Sequence, residues 1–96
     1  LNGLQIDGPV EKVMGSGNLK GKFLDYGFKV AEVDGHDFEA LDAAIALRAD
    51  SVPVCILAKT VKGKGVSFME NQAGWHGQKI SGDDYKSAME DLKGGR

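Results

Sequence analysis

Leu4 and Ile6 alternate with polar neighbours at the start of the chain until the Gly8-Pro9 breaker, a pattern that predicts a short strand. Pro9 then occupies the favoured first-turn position of a helix, and the run to Gly15 predicts about two turns. Leu19, Phe23 and Tyr26 recur at helical spacing, with Asn18 as a candidate N-cap and Gly27 as the stop, so a second amphipathic helix is expected despite Gly21. The stretch from Phe28 to Val33 alternates as a strand would and runs into the turn Asp34-Gly35-His36-Asp37. Asp37 is placed to cap a helix on which Phe38, Leu41, Ile45 and Arg48 follow the 3.6-residue period, with Ala44 and Leu47 widening the buried face. From Val52 to Thr60 the chain is almost continuously apolar, as in a strand buried on both faces. Ser81 or Asp83 can cap a last helix carrying Tyr85, Ala88, Met89 and Leu92, closed by Gly94-Gly95. Strands alternating with helices imply an α/β layer with parallel pairing. No repeat, low-complexity tract or linker interrupts residues 1–96, which read as one domain.

Composition narrows the possible functions. A chain of 96 residues, 42% hydrophobic and 27% charged, supports one modest core whose margin is narrow unless a partner covers further apolar surface. The formal net charge of −2 lacks the basic excess that a general nucleic-acid binder needs. No apolar run approaches the roughly 20 residues that span a bilayer, and the first residues do not read as a signal peptide. The single cysteine, Cys55, lies in the apolar run and reads as a reduced, buried, structural thiol of a cytoplasmic protein.

Candidate chemistry gathers between the last strand and the last helix. The stretch Thr60 to Gly77 holds Gly63, Gly65, Gly74 and Gly77 together with Lys62, Lys64, Trp75 and His76. Loops of this length in small domains are mostly functional or disordered. The run Lys62 to Gly65 lacks the spacing of a P-loop, but its backbone and lysines can approach an anion. Gly15 to Gly21 fails the dinucleotide fingerprint by one residue and has no strand immediately before it, so it reads as an interhelix loop. Asp34, His36 and Asp37 could ligate a metal, yet turn and N-cap roles explain the same residues without an ion, leaving His36 a surface or packing histidine. In "GWHG", Gly74 to Gly77, the Trp-His pair either meets a ligand or anchors the loop.

Taken together, "NGLQIDGP", "EVDGHDFEAL", "AKTVKGKGVSFMEN" and "GWHG" resemble, in order and spacing, successive segments of the diphosphate-binding half of transketolase, as in enzymes split into two chains. The resemblance runs from residue 1 to about residue 92 and is far more specific than any single motif. It implies a partial doubly wound parallel sheet of the thiamine diphosphate-binding fold. It also implies a cytoplasmic transferase of carbohydrate metabolism, of the pentose phosphate kind, moving a two-carbon ketol unit between sugar phosphates.

The same resemblance assigns roles. Asn2 matches a metal-ligating Asn, and Leu4 the position whose backbone carbonyl binds the same Mg²⁺ or Ca²⁺; both would thereby hold thiamine diphosphate. Ile6 matches an apolar residue against the cofactor's ring, and His76 a catalytic loop histidine beside diphosphate and substrate. The opening turn and the Trp-His segment are then expected to converge on one charged cofactor. The family's Gly-Asp-Gly carboxylate, the Asp usual before Asn2 and the pyrimidine-activating carboxylate are not matched in these 96 residues. The chain is therefore expected to be the C-terminal portion of that half, inactive alone, working with the C-terminal transketolase half in a homo-oligomer or heterotetramer. The other reading is a non-catalytic α/β module for assembly.

Overall fold

Two six-residue strands carry the regular part of the chain, β3 (Lys29–Asp34) and β4 (Val54–Lys59). They follow β1 (Leu4–Gln5), β2 (Gly8–Pro9), α1 (Val10–Val13) and α2 (Leu19–Asp25), with α3 (Phe38–Ala46) between them and α4 (Gly82–Lys93) last. The computed structural model describes residues 1–48 and 51–95. Backbone proximity divides the chain into two compact units: Leu1 with Ser16–Thr60, and Asn2–Gly15 with the residues from Val61 onward.

In the first unit β3 and β4 pair in parallel, from Lys29 opposite Val54 to Asp34 opposite Lys59. Parallel neighbours need a crossover, and α3 supplies it. The ladder continues past both ends: Lys29 N–H donates to the Pro53 carbonyl at 2.9 Å and Gly35 N–H to the Lys59 carbonyl at 2.6 Å. Residue 35 has to be glycine there, because a Cβ would stand 2.8 Å from that carbonyl oxygen and closer still to the Thr60 methyl. The caps are those the sequence predicts. Asn18 Oδ1 accepts from Gly21 N–H at 2.9 Å, and Asp37 Oδ1 accepts from Glu39 and Ala40 N–H, both at 3.0 Å. Phe23 meets Phe28 edge to face at 5.2 Å between ring centres, which ties α2 to the start of β3.

Burial is thinner than the periodicity implies. Ala44 and Leu57 are the buried apolar side chains of this unit among the described residues. Tyr26, Phe38 and Ile45, each assigned to a buried face, are 81%, 85% and 65% exposed. The run Val54 to Ala58, expected to be buried on both sides, is half-buried apart from Leu57, and Cys55 is half-buried with it. Two strands and two short helices have too little surface to cover both faces of a parallel sheet.

The second unit opens with a hairpin rather than one short strand: Leu4 pairs with Pro9 and Gln5 with Gly8, antiparallel, around an Ile6-Asp7 turn. Gly8, at φ +151°, takes a backbone conformation closed to other residues and lets the chain fold back. Pro9 stands just before α1 rather than inside it, and the helix is one turn long because Met14 is already extended. Gly15 to Asn18 form the expected connection between α1 and α2. Ser81, not Asp83, caps α4 in a capping box: Asp84 N–H donates to Ser81 Oγ while Ser81 N–H donates to the Asp84 carboxylate. Ala88 and Met89 are half-buried, but Tyr85 and Leu92 are exposed, a correction to the predicted apolar face.

Candidate functional site

The segment from Val61 to Gly77 is a chain of tight turns closed on itself. Asn71 N–H donates to the Lys62 carbonyl at 3.0 Å, bringing the two ends of the inner loop together. Between them Lys64, Val66, Met69 and Glu70 N–H groups each find a backbone carbonyl within the loop, and Gly65 N–H donates to Glu70 Oε1 at 3.0 Å. Gly63, at φ +72°, is obligatory here, since a Cβ would lie 2.7 Å from the Met69 backbone. One carboxylate oxygen of Asp91 on α4 accepts from both the Ser67 backbone N–H at 2.7 Å and its hydroxyl at 2.6 Å. Val66 is buried beneath these turns.

The Trp-His pair divides its work. Trp75 Nε1–H donates to the Phe68 carbonyl at 3.1 Å, and the two rings meet edge to face at 5.4 Å, so the indole anchors the loop. His76 closes the 3₁₀ turn Ala73–His76 and remains exposed. That turn packs against β2. The arrangement frames a cavity of about 290 Å³. The hairpin lines it with Asn2, Leu4, Gln5 and Ile6, and the loop with Lys62, Ala73 and His76.

All four residues singled out by the motif match, Asn2, Leu4, Ile6 and His76, therefore line one cavity inside one compact unit. Gln5, Lys62 and Ala73 join them and were not singled out. Lys62 had a signal, as the first lysine of the anion-approaching turn. Gln5 and Ala73 had none, because their place depends on the hairpin register and the 3₁₀ turn. At the other motif, Asp34 Oδ1 accepts from His36 N–H at 2.9 Å and Asp37 caps α3, so both carboxylates serve the turn. His36 is exposed.

The α/β fold with its parallel strand pair is shared with known proteins. The model of the family "Transketolase, thiamine diphosphate binding domain" matches residues 1–94. The chain is 34% identical over 94 residues to the 6-deoxy-6-sulfo-D-fructose transketolase subunit SqwG of Clostridium sp. (strain MSTE9), covering 96% of this chain and 34% of that protein. It is 39% identical over 93 residues to transketolase 2 of Aliivibrio fischeri, covering 95% of this chain and 14% of that protein. The crystal structure of transketolase from Campylobacter jejuni subsp. jejuni superimposes with a TM-score of 0.81 at 30% identity, covering 96% of this chain and 15% of that one. The chain belongs to the transketolase family, within its thiamine diphosphate-binding domain. It spans about a third of the length of the split-subunit relative and about a seventh of full-length transketolase.

The cavity fits part of such a cofactor. Its volume lies near the lower end of ligand pockets, roughly 300–1,000 Å³, and it combines apolar walls at Leu4, Ile6 and Ala73 with hydrogen-bonding groups at Asn2, Gln5, Lys62 and His76. Ile6 is 61% exposed, an apolar side chain held out where a ring could cover it. A divalent cation is another matter. The lining contains no carboxylate, and the described residues contain no group of three His, Cys, Asp or Glu able to hold a metal ion. Asn2 Oδ1 already accepts from Leu4 N–H at 3.0 Å, leaving one lone-pair direction for anything else. Two neutral oxygens do not hold Mg²⁺, which gives up its water reluctantly; these residues alone do not make its site.

Proposed function

We propose that this chain supplies one wall of a thiamine diphosphate site in a transketolase that moves a two-carbon ketol unit from a ketose phosphate to an aldose phosphate in the cytoplasm. The observation that carries the reading is the shared cavity, where Asn2, Leu4 and Ile6 from one end of the sequence meet His76 from the other. Thiamine diphosphate, when bound, supplies the carbon–carbon bond cleavage and formation. The chain's own residues orient and shield. Ile6 covers an apolar ring face, and His76 donates a hydrogen bond to a phosphate oxygen or to an alkoxide as charge develops on it. Asn2 Oδ1 and the Leu4 carbonyl serve as two of the oxygen ligands of Mg²⁺ or Ca²⁺ only when a carboxylate from outside these residues completes the set.

In this reading the active enzyme needs a Gly-Asp-Gly segment and a C-terminal transketolase half beyond the 96 residues, joined in a homo-oligomer or heterotetramer. The name of the split-subunit relative supports that arrangement. Titration calorimetry of thiamine diphosphate onto the chain, with and without Mg²⁺ and the other half, tests it: absence of binding in every combination contradicts it. In the complemented enzyme His76→Ala is expected to lower turnover by well over about threefold; a smaller loss reduces His76 to scaffolding.

A second reading, a non-catalytic assembly module, has its own observation in the exposure of Tyr26, Phe38 and Ile45 beside a two-stranded parallel sheet. Unpaired strand edges and uncovered apolar side chains favour association. A monomer in sedimentation at micromolar concentration contradicts it.

A further inference from the structure

His76 lines the cavity, yet its ring has no hydrogen-bond partner among the described residues, so its place is set by the backbone of the 3₁₀ turn Ala73–His76 that carries it. What fixes that turn begins outside the cavity. Trp75, beside His76 in the turn, donates its indole N–H to the Phe68 carbonyl at 3.1 Å and meets the Phe68 ring edge to face. Phe68 is held in its turn by its neighbour. Ser67 gives both its backbone N–H and its hydroxyl to one carboxylate oxygen of Asp91, at 2.7 and 2.6 Å. Bonds of these lengths to a charged oxygen are of the stronger, charge-assisted kind. Asp91 stands 24 residues further along the chain, in a twelve-residue helix whose start is closed by the Ser81 capping box. The backbone bonds donated from Lys64 to Trp75 join loop residues to one another, whereas the Asp91 carboxylate ties the loop to that helix.

From this chain of contacts we infer that Asp91 is a positioning residue for the cavity: through Ser67, Phe68 and Trp75 it fixes the turn that presents His76, without itself belonging to the lining. Losing the Ser67 contact frees the Phe68 peptide, loosens the indole and spreads His76 over more than one position. A side chain that has to meet its ligand within about 0.5 Å loses effectiveness through such spread. Only the identity of what His76 meets rests on the proposed function; the relay stands on the loop's own contacts.

The single tryptophan makes the relay visible, since one indole N–H resonance reports the bond to Phe68. Solvent exchange of that proton and the amide shifts of Ala73 and His76 are measured by NMR on the full chain as wild type, Asp91→Ala, Asp91→Asn and Ser67→Ala, with circular dichroism verifying that each variant is folded. Asp91→Ala is expected to speed indole exchange about tenfold and to move Ala73 and His76, while the Lys29 and Gly35 amides of the ladder and the Gly94 amide at the end of α4 stay as they are. Asp91→Asn, which retains an acceptor oxygen, recovers most of the protection. Ser67→Ala removes one of the two bonds and leaves α4 whole; it is expected to change the exchange about threefold, and it carries the test if Asp91→Ala does not fold. Unchanged indole exchange in either folded alanine variant, equal acceleration at Trp75 and across the ladder, or no recovery in Asp91→Asn overturns the inference. In the complemented enzyme Asp91→Ala is expected to lower turnover about fivefold and to add nothing to His76→Ala in the double variant. Additive losses overturn the relay and leave the proposed function standing. A complemented enzyme without transketolase activity removes the proposed function, and the indole measurement still decides the relay.

Discussion

The two units of the chain are ordered by different means. In the unit of β3, α3 and β4, order comes from repetition: a six-residue parallel ladder, two capped helices and one crossover. In the unit of the hairpin and the glycine-rich loop it comes from single, non-repeating contacts, Lys62 to Asn71, Asp91 to Ser67 and Trp75 to Phe68. Repetition spreads the cost of any one lost bond over its neighbours. A loop built of single contacts has no such reserve, but it can hold particular side chains in particular places, and the cavity is there. Regular structure in this chain is scaffold, and irregular structure lines the cavity.

Substituting one glycine in each unit tests that difference most severely. Gly63→Val combines a positive φ with a Cβ in collision with the Met69 backbone, and is expected to cost about 3 kcal/mol and to open the loop. Gly35→Ala places a methyl against the Lys59 carbonyl and is expected to cost about 2 kcal/mol while the ladder bends to accommodate it. Urea unfolding gives the magnitudes. Amide exchange tells the cases apart: Gly63→Val should release loop amides such as Asn71 selectively, and uniform acceleration across β3 and β4 in that variant contradicts the division.

A smaller effect is expected from Asp91→Ala, which removes the acceptor of both Ser67 bonds. Exposure limits the loss to about 1 kcal/mol, but the Ser67 amide should lose its protection. Unchanged exchange at Ser67 removes Asp91 from the loop's supports. The helix caps should matter about as much: Asp37→Ala is expected to cost about 1 kcal/mol and leave thiamine diphosphate affinity intact, since no residue of α3 lines the cavity. A change in affinity in that variant contradicts the assignment of chemistry to the other unit.

The smallest expected effect is a response to pH. The hydroxyl of Ser81, and then its backbone N–H, hold the Asp84 carboxyl below the ordinary value for aspartate. Lys20, by hydrogen bond and then by charge, does the same for Glu32. A carboxyl depressed in the folded state contributes stability that is complete above its unfolded pKa, about 4, and is lost as pH falls through the folded value. The wild type should therefore lose stability below about pH 4, and Ser81→Ala should lose less across the same window. Equal slopes for the two proteins discount the cap.

What was legible in the sequence follows from the same division. Caps are short-range signals, so Asn18, Asp37 and the last helix start could be read three residues at a time, and parallel pairing followed from the alternation of strands and helices. Burial was not legible. Phe38 and Ile45 sit at correct helical spacing, yet periodicity says which face is apolar and nothing about whether a neighbour covers it. The hairpin at Leu4 to Pro9 was missed because a two-residue register lies below any periodic signal. At the site, Asn2, Leu4, Ile6 and His76 were marked by the resemblance of whole motifs, since spacing alone left the Trp-His pair undecided. The bond from Trp75 to the Phe68 carbonyl assigns the anchoring role to the indole, and only a fold could supply it.

One titration tests the central claim that hairpin and loop grip a single cofactor. Backbone amide NMR of the isotope-labelled chain with thiamine diphosphate should show Asn2 to Ile6 shifting together with Lys62 and His76, all along one saturation curve, while Glu39 and Ala40 at the start of α3 stay still. Shifts confined to one of the two segments, or separate curves for each, would contradict it.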